Sequence, residues 1–278
     1  MTSSPSRTAL TAAAARAAHL VVDQPPVVFV DAHAVRLLGD QAAELLSYHR
    51  EHGDNPILAA ARAEVLSRSR YTESVVAAAH GAGVDQYVLL GAGLDTFSLR
   101  APATLRVFEV DHPATQSWKR ERLTDENLSP AVTYVPFDLG TGDVLDHLAT
   151  AGFLPAAPAV VGCLGVSTYL APTTVEAMVA DLARLAPGSE VVTEFLLPER
   201  DRDEIGSLYA RVVGEVAAHE GEPWRTFLST DNAVELFRRN GFADVTAIAH
   251  RDCLEPHLWE RTDALRPVRL SYLVHARR

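Results

Sequence analysis

Three short stretches carry the most specific chemistry in this chain: Gly91-Ala92-Gly93-Leu94-Asp95, Glu109-Val110-Asp111 and Asp138-Leu139. Glycines at a strand end let the main chain turn tightly and let a ligand lie against it. The plainer alternative is a tight turn with no ligand. Glu109 lies 18 residues past Gly91, and a carboxylate at such a spacing can accept both hydroxyls of a ribose. Asp111, two positions on, points the same way in an extended chain. Either acid could instead complement a helix dipole ahead of Pro113. Asp138 could accept from an adenine amino group while the Leu139 N–H serves the ring; the alternative is an acid capping a turn. A dinucleotide fingerprint wants a third small residue, G-x-G-x-x-G/A, and Thr96 stands there instead. The set favours an adenosine cofactor without a pyrophosphate.

Strand ends must bring these stretches together. Apolar runs at 86–90, 105–110, 132–135, 159–164 and 190–196 read as five strands, with helices at about 113–124, 143–151 and 173–186 between them. Strands that are apolar throughout and alternate with helices make a parallel sheet covered on both faces. Upstream, helices are expected at 8–20, 33–48 and 57–80, broken by Pro25-Pro26 and by Gly53-Asp54-Asn55-Pro56. Downstream come a charged helix at 201–219, a short helix at 231–240 capped by Ser229 or Thr230, and strands near 243–249 and 268–276. Residues 1–80 read as a helical lid region and 81–278 as the cofactor-binding domain, with 198–230 inserted on the substrate side, all in one structural unit.

Leu90-Gly91-Ala92-Gly93-Leu94-Asp95-Thr96, Phe108-Glu109-Val110-Asp111-His112-Pro113 and Lys119-Arg120 resemble the leucine carboxyl methyltransferase-like group of class I S-adenosylmethionine-dependent methyltransferases, which includes bacterial polyketide O-methyltransferases. Arg68-Ser69-Arg70-Tyr71, Leu164-Gly165-Val166-Ser167-Thr168-Tyr169-Leu170, Gly221-Glu222-Pro223-Trp224 and Arg261-Thr262-Asp263-Ala264-Leu265-Arg266 extend the likeness over residues 30–278. The resemblance implies a Rossmann-like α/β fold: a seven-stranded, mostly parallel sheet with one antiparallel strand at the end. It implies S-adenosylmethionine as methyl donor and S-adenosylhomocysteine as product. By position, Gly91, Ala92, Gly93 and Asp95 would follow the methionine part, Glu109, Val110 and Asp111 the ribose, and Asp138 and Leu139 the adenine. Arg68 would meet the cofactor carboxylate, which suits a guanidinium fork. Leu164, next to Gly165, stands where many members carry Glu; the contact of that acid to the cofactor's amino group would be lost, or replaced by a main-chain carbonyl of Leu164 or Gly91.

Methyl transfer needs an in-line approach, and holding that geometry supplies much of the acceleration. An acceptor carboxylate is already ionised at neutral pH, whereas a phenol or alcohol benefits from a base. Tyr169, Thr168 and His112 are the catalytic candidates; His33, His49 and His52 read more plainly as structural or surface imidazoles. Tyr71, Tyr169, Glu194, Trp224 and Arg225 are expected around the acceptor. No metal-ligand constellation is evident.

Composition narrows the partners. The chain has 278 residues, 47% hydrophobic and 22% charged, enough apolar material for a sizeable core. A net charge of −11 disfavours nucleic acid and anionic membrane surfaces; a protein carboxyl terminus stays open as acceptor, and the compact, Ala- and Arg-rich chain favours a small molecule. Cys163 and Cys253 are too few for a disulfide framework and are expected as small buried hydrophobes in a reducing, cytoplasmic setting. The start, Met1 to Arg7 and the Ala-rich run after it, lacks the long apolar centre of a signal peptide. The leading expectation is an O-methyltransferase acting on a carboxylate or hydroxyl of a small secondary metabolite. An NAD(P)-dependent oxidoreductase and a cofactor-binding homologue that does not methylate are the alternatives.

Overall fold

The computed structural model describes residues 6–278; Met1 to Pro5, the beginning of the segment read for a leader, lie outside the described residues. Four helices come first: α1 (Arg7–Val22), α2 (Ala34–Leu38), α3 (Ala42–His52) and α4 (Pro56–Gly81). Asn55 caps α4, its Oδ1 accepting from Ile57 N at 2.9 Å, and Pro56 fits the first turn, where no N–H is needed. The single helix expected at 33–48 is two. Gly39 has φ +54°, and a 3-10 turn at Gly39–Gln41 separates α2 from α3.

Alternation follows with β1 (Gln86–Leu90), β2 (Arg106–Asp111), α5 (Pro113–Asp125), β3 (Thr133–Pro136), α6 (Val144–Thr150), β4 (Val160–Cys163), α7 (Pro172–Leu182) and β5 (Glu190–Leu196). The chain closes with α8 (Glu204–His219), α9 (Thr230–Arg239), β6 (Asp244–Ala249) and β7 (Ser271–Arg277). Ser229 is the α9 cap, its side chain accepting from Asn232 N. The α7 helix stops at Leu182, four residues short of the expected end, and β7 begins three residues later than expected.

The seven strands lie in the order β3-β2-β1-β4-β5-β7-β6, parallel except for β7, which pairs antiparallel with both β5 and β6. The antiparallel strand is thus last in the chain but second from the sheet edge. Both faces are buried. Val88 and Leu90 pack with α6, α7 and α9, while Tyr87 and Leu89 pack with Val75, Val76 and Ala79 of α4. A further cluster joins Leu10, Ala14 and Ala17 of α1 to Leu37, Leu38, Leu94 and Leu123. The N-terminal helices therefore share their core with the loop after β1 and with α5. Cys163 is buried, Cys253 is only half-buried, and both are free. No helix among the described residues is long and apolar enough to cross a membrane. From β1 the chain winds outward to β2 and β3, then crosses to β4. The carboxyl ends of β1 and β4 flank that switch point, where open α/β sheets bind ligands.

Candidate active site

The loop after β1 is held to β2 by its own main chain: the Gly91 and Ala92 N–H groups donate to Val110 O at 2.8 and 3.1 Å. Gly91 has φ +67°, and a Cβ there would come within 2.3 Å of Val166 Cγ2, so only glycine fits. The Gly93 N–H donates to the Asp111 carboxylate, whose Oδ1 also accepts from His112 N at 2.6 Å. Burial pushes the Asp111 carboxyl up against these two donors. Asp95 Oδ1 accepts from Phe97 N at 2.7 Å, and a 3-10 turn at Phe97–Leu99 follows instead of a helix. The loop consequently lacks the helix N-terminus that a pyrophosphate uses.

Thr96, the residue that departs from the dinucleotide pattern, has a structural partner. Its hydroxyl donates to Asp31 Oδ1 at 2.7 Å. Asp31 also accepts from Arg16 Nε at 2.8 Å and Ala34 N at 3.0 Å, and Arg16 Nη2 reaches Leu94 O at 2.6 Å. Burial would raise the Asp31 carboxyl, but the Arg16 charge and the Thr96 hydroxyl hold it below the usual range. This buried network fastens the glycine loop to α1.

Above the strand ends lies a cleft of about 1300 Å³. Of the residues expected to bind a cofactor, Arg68, Gly91, Ala92, Gly93, Asp95, Asp111, Asp138, Leu139, Leu164 and Gly165 line it. Asp138 is exposed and its Oδ1 accepts from Gly140 N at 2.8 Å, so it also shapes the turn after β3. Glu109 and Val110 do not line the cleft, which corrects the expectation for both. Glu109 shares a face with Asp111 but sits two residues deeper in β2, about 7 Å below the strand end. There it is 1% exposed, with Oε2 on Lys119 Nζ at 2.7 Å and Oε1 accepting from Ser98 Oγ at 2.8 Å. Val110 points its side chain into the opposite core, and its carbonyl is the one that holds the loop.

A second cavity of about 340 Å³ adjoins the cleft; Thr8, Arg68, Gly165, Val166 and Tyr169 line both. Its walls are mainly apolar, with Val212, Val213 and Val216 from α8, Leu196, Leu270 and Trp224. The Tyr169 hydroxyl lies 3.4 Å from Thr8 Oγ1, and burial pushes its pKa up. Thr168 borders this cavity with a buried Oγ1 that has no partner among the described residues. The Thr168 carbonyl accepts from Arg225 N at 2.7 Å, pinning the segment after α8. Trp224 stacks on Tyr209 of α8 with ring centroids 6.4 Å apart.

The other expected residues separate. His112 caps α5, and both His112 and Arg225 border the cleft but not the second cavity. Tyr71 lines neither, correcting its placement at the acceptor. It is one turn further along α4, below the strand ends, where its hydroxyl meets His275 Nδ1 at 2.8 Å on the sheet face covered by α4. Glu194 does reach the second cavity, at the end of β5.

Around Glu194 is a buried cluster that sequence reasoning missed. Arg68 Nη1 is 2.5 Å from Glu194 Oε2, while His250 Nε2 and Ser271 Oγ are each 3.1 Å from Oε1. Burial would raise Glu194, but Arg68 and His250 pull its pKa down to about 2. Burial would depress His250; hydrogen bonding with Cys253 and Glu194 outweighs it and pushes the imidazole up to about 10. Glu64, one turn before Arg68 on α4, completes the group through Ser271 Oγ. The Glu64–Arg68 spacing of four was the one local signal; His250 and Ser271 arrive through tertiary packing alone. Glu64, Glu194 and His250 bring ligand-type atoms within 4.8 Å of one another, so the expectation of no such constellation does not hold. The cluster already carries its own cations in Arg68 and protonated His250.

Comparison with known proteins locates this architecture. A family model described as leucine carboxyl methyltransferase matches residues 8–183. The provisionally named S-adenosyl-L-methionine-dependent methyltransferase YktD of Bacillus subtilis is 31% identical over 217 residues, which is 76% of this chain and 71% of that protein. A similarly named protein of Mycobacterium marinum is 35% identical over 207 residues, covering 69% of this chain and 64% of its own length. The crystal structure of a duf574 family protein from Streptomyces avermitilis superposes with a TM-score of 0.63 at 17% identity, covering 96% of this chain and 97% of that one, a likeness of fold.

Proposed function

The chain belongs to the leucine carboxyl methyltransferase family of S-adenosylmethionine-dependent enzymes, and from that premise we propose that it is an O-methyltransferase acting on a carboxylate or hydroxyl of a small secondary metabolite. The observation that supports this most directly is the junction of a large cleft of mixed polarity with a mainly apolar cavity at Arg68, Gly165, Val166 and Tyr169. A donor in the cleft and an acceptor in the cavity would meet there.

The residues suit the donor. Bare main chain at Gly91–Gly93 permits close approach, and a Cβ at Gly91 would displace Val166. Asp111, the carboxylate at the end of β2, would accept from ribose hydroxyls. Asp138 and Leu139, at the turn after β3, would border the adenine. Arg68 would receive the carboxylate, its guanidinium already aligned by Glu194. When bound, S-adenosylmethionine supplies an electrophilic methyl on sulfonium sulfur. The chain's own part is to orient and to exclude water. Thr8, Thr11 and Ala12 of α1 border both spaces, and α8 with Trp224 walls the smaller one. Such an apolar wall would limit solvent at the reacting centre.

The dinucleotide-dependent alternative is set aside by the family match and has no support in the loop, where Thr96 is committed to Asp31 and no helix follows. The test is release of S-adenosylhomocysteine from S-adenosylmethionine in the presence of a panel of hydroxyl and carboxylate compounds. Acceptor-dependent product formation supports the proposal. Tight cofactor binding with no transfer to any acceptor would instead favour the non-methylating homologue.

A further inference from the structure

Two carboxyl groups share the wall of the smaller cavity and have unequal company. Glu194 has two charged partners: Arg68 holds one oxygen and His250 the other, with Ser271 Oγ, whose one proton Glu64 also competes for, 3.1 Å from the latter. Glu64 has far less. Its Oε1 accepts from Ser271 Oγ, its nearest imidazole nitrogen is His250 Nε2 at 3.9 Å, and its Oε2 has no partner among the described residues. The Glu64 side chain is 13% exposed, and the cavity is where that exposure lies. Glu64 sits one turn, about 6 Å, before Arg68, which stands at the junction with the cleft.

The cations of the cavity point the same way. Arg7, His49 and Arg68 are the basic residues lining it among those described. Arg68 is engaged by Glu194 and Arg7 by Glu220 at 3.0 Å. Burial, reinforced by Arg62, depresses His49 to about 4, leaving it neutral. An acceptor carboxylate entering here would meet Glu64, Glu194, Glu220 and Glu222, with Arg68 already shared between Glu194 and the cofactor carboxylate and Arg7 paired with Glu220. A neutral hydroxyl acceptor meets no such repulsion.

We propose that Glu64 is the proton acceptor for methyl transfer and that the substrate is accordingly a phenol, enol or alcohol with an apolar body. This rests on the methyltransferase reading above. In the balanced step the acceptor O–H bond breaks and its proton passes to a Glu64 carboxylate oxygen. The acceptor oxygen bonds to the methyl carbon, and the electron pair of the broken C–S bond stays on sulfur as a neutral thioether. Burial and the facing Glu194 raise the Glu64 carboxyl, whereas His250, Ser271 and Arg68 oppose the rise; Tyr209 of α8 also faces it. A carboxylate raised beside one that is lowered is a pattern of paired acid–base roles. Glu194 at about 2 is too weak a base for the task.

The experiment compares the wild type with Glu64→Gln on 1-naphthol, 2-naphthol and 1-decanol against 1-naphthoate, 2-naphthoate and decanoate. S-adenosylhomocysteine release is the readout, and calorimetry reports its affinity for each protein. The wild type should turn over hydroxyl probes in preference to carboxylates, and E64Q should lose about 10²–10⁴-fold of that rate with cofactor affinity unchanged. The wild-type rate should rise with pH through a limb above the ordinary carboxylate range, and infrared difference spectra of the cofactor-free wild type should show a protonated carboxyl titrating with it. Turnover of carboxylates alone, no hydroxyl turned over, an E64Q rate equal to wild type, or no such carboxyl band would each overturn the assignment. Failure of the wild type to bind S-adenosylhomocysteine would instead overturn the methyltransferase reading, and this inference with it.

Discussion

Asp111→Asn and Glu109→Gln separate the two acids of β2 by what each should cost. Asp111 borders the cleft and accepts from the Gly93 and His112 N–H groups. A hydrogen bond to a charged group is worth about 1.5–3 kcal/mol, so losing the ribose contact should weaken S-adenosylhomocysteine binding roughly 10- to 150-fold. The asparagine oxygen can still accept one of the two N–H groups, so the stability loss should stay near about 1 kcal/mol. Glu109 is a different case. Its removal leaves the Lys119 ammonium, 2% exposed, with no anion at 2.7 Å. Breaking a buried pair costs about 3–5 kcal/mol. For a chain of this size that is a fall in Tm of roughly 5–9 °C. Differential scanning fluorimetry and calorimetry, run where both variants remain folded, read the two effects separately. Weak binding and an unchanged Tm in E109Q, or wild-type affinity in D111N, would refute the division of roles.

Three further outcomes follow from the geometry. Gly91→Ala must combine a left-handed residue with a Cβ 2.3 Å from Val166, and should lose both Tm and cofactor affinity; Gly83→Ala, at φ +97° with open space around it, should lose Tm alone. Thr96→Val removes the hydroxyl that donates to buried Asp31 and should cost about 1.5–3 kcal/mol in urea unfolding, with little change if Thr96 were a mere spacer. For His250 the folded pKa of about 10 lies above its unfolded value near ~6.5, so its contribution is complete below that value and fades as pH rises through 10. For Glu194, about 2 folded against ~4.3 unfolded, the contribution is complete above the unfolded value and fades as pH falls through 2. The Tm of the wild type should therefore decline between pH 7 and 10, and His250→Gln should flatten that decline from a lower starting point.

Much of the scaffold could be read in advance because apolar strand runs and turn residues are local signals. Gln86–Leu90 and Glu190–Leu196 ended where their patterns ended. Periodicity does not register one residue at positive φ, so Gly39 split a helix that looked continuous. In the site, glycine spacing and the acids at strand ends marked the cleft. Glu109 was misplaced because same-face parity says nothing about depth: Asp111 reaches the rim and Glu109 is covered. Tyr71 was misplaced for a related reason, since three residues along α4 carry a side chain below the strand ends. The Glu64–Glu194–His250–Ser271 cluster joins residues up to 207 positions apart, and only the packing of α4, the β5–β7 pair and the turn after β6 brings them together.

The most direct measurement is a crystal structure of the protein grown with S-adenosylhomocysteine. The ligand should lie along Gly91–Gly93, with its ribose on Asp111, its adenine between Asp138 and Leu139, and its sulfur directed toward the cavity bounded by Tyr169 and Glu64. Density elsewhere on the molecule, or a ribose carried by any residue but Asp111, would contradict the account.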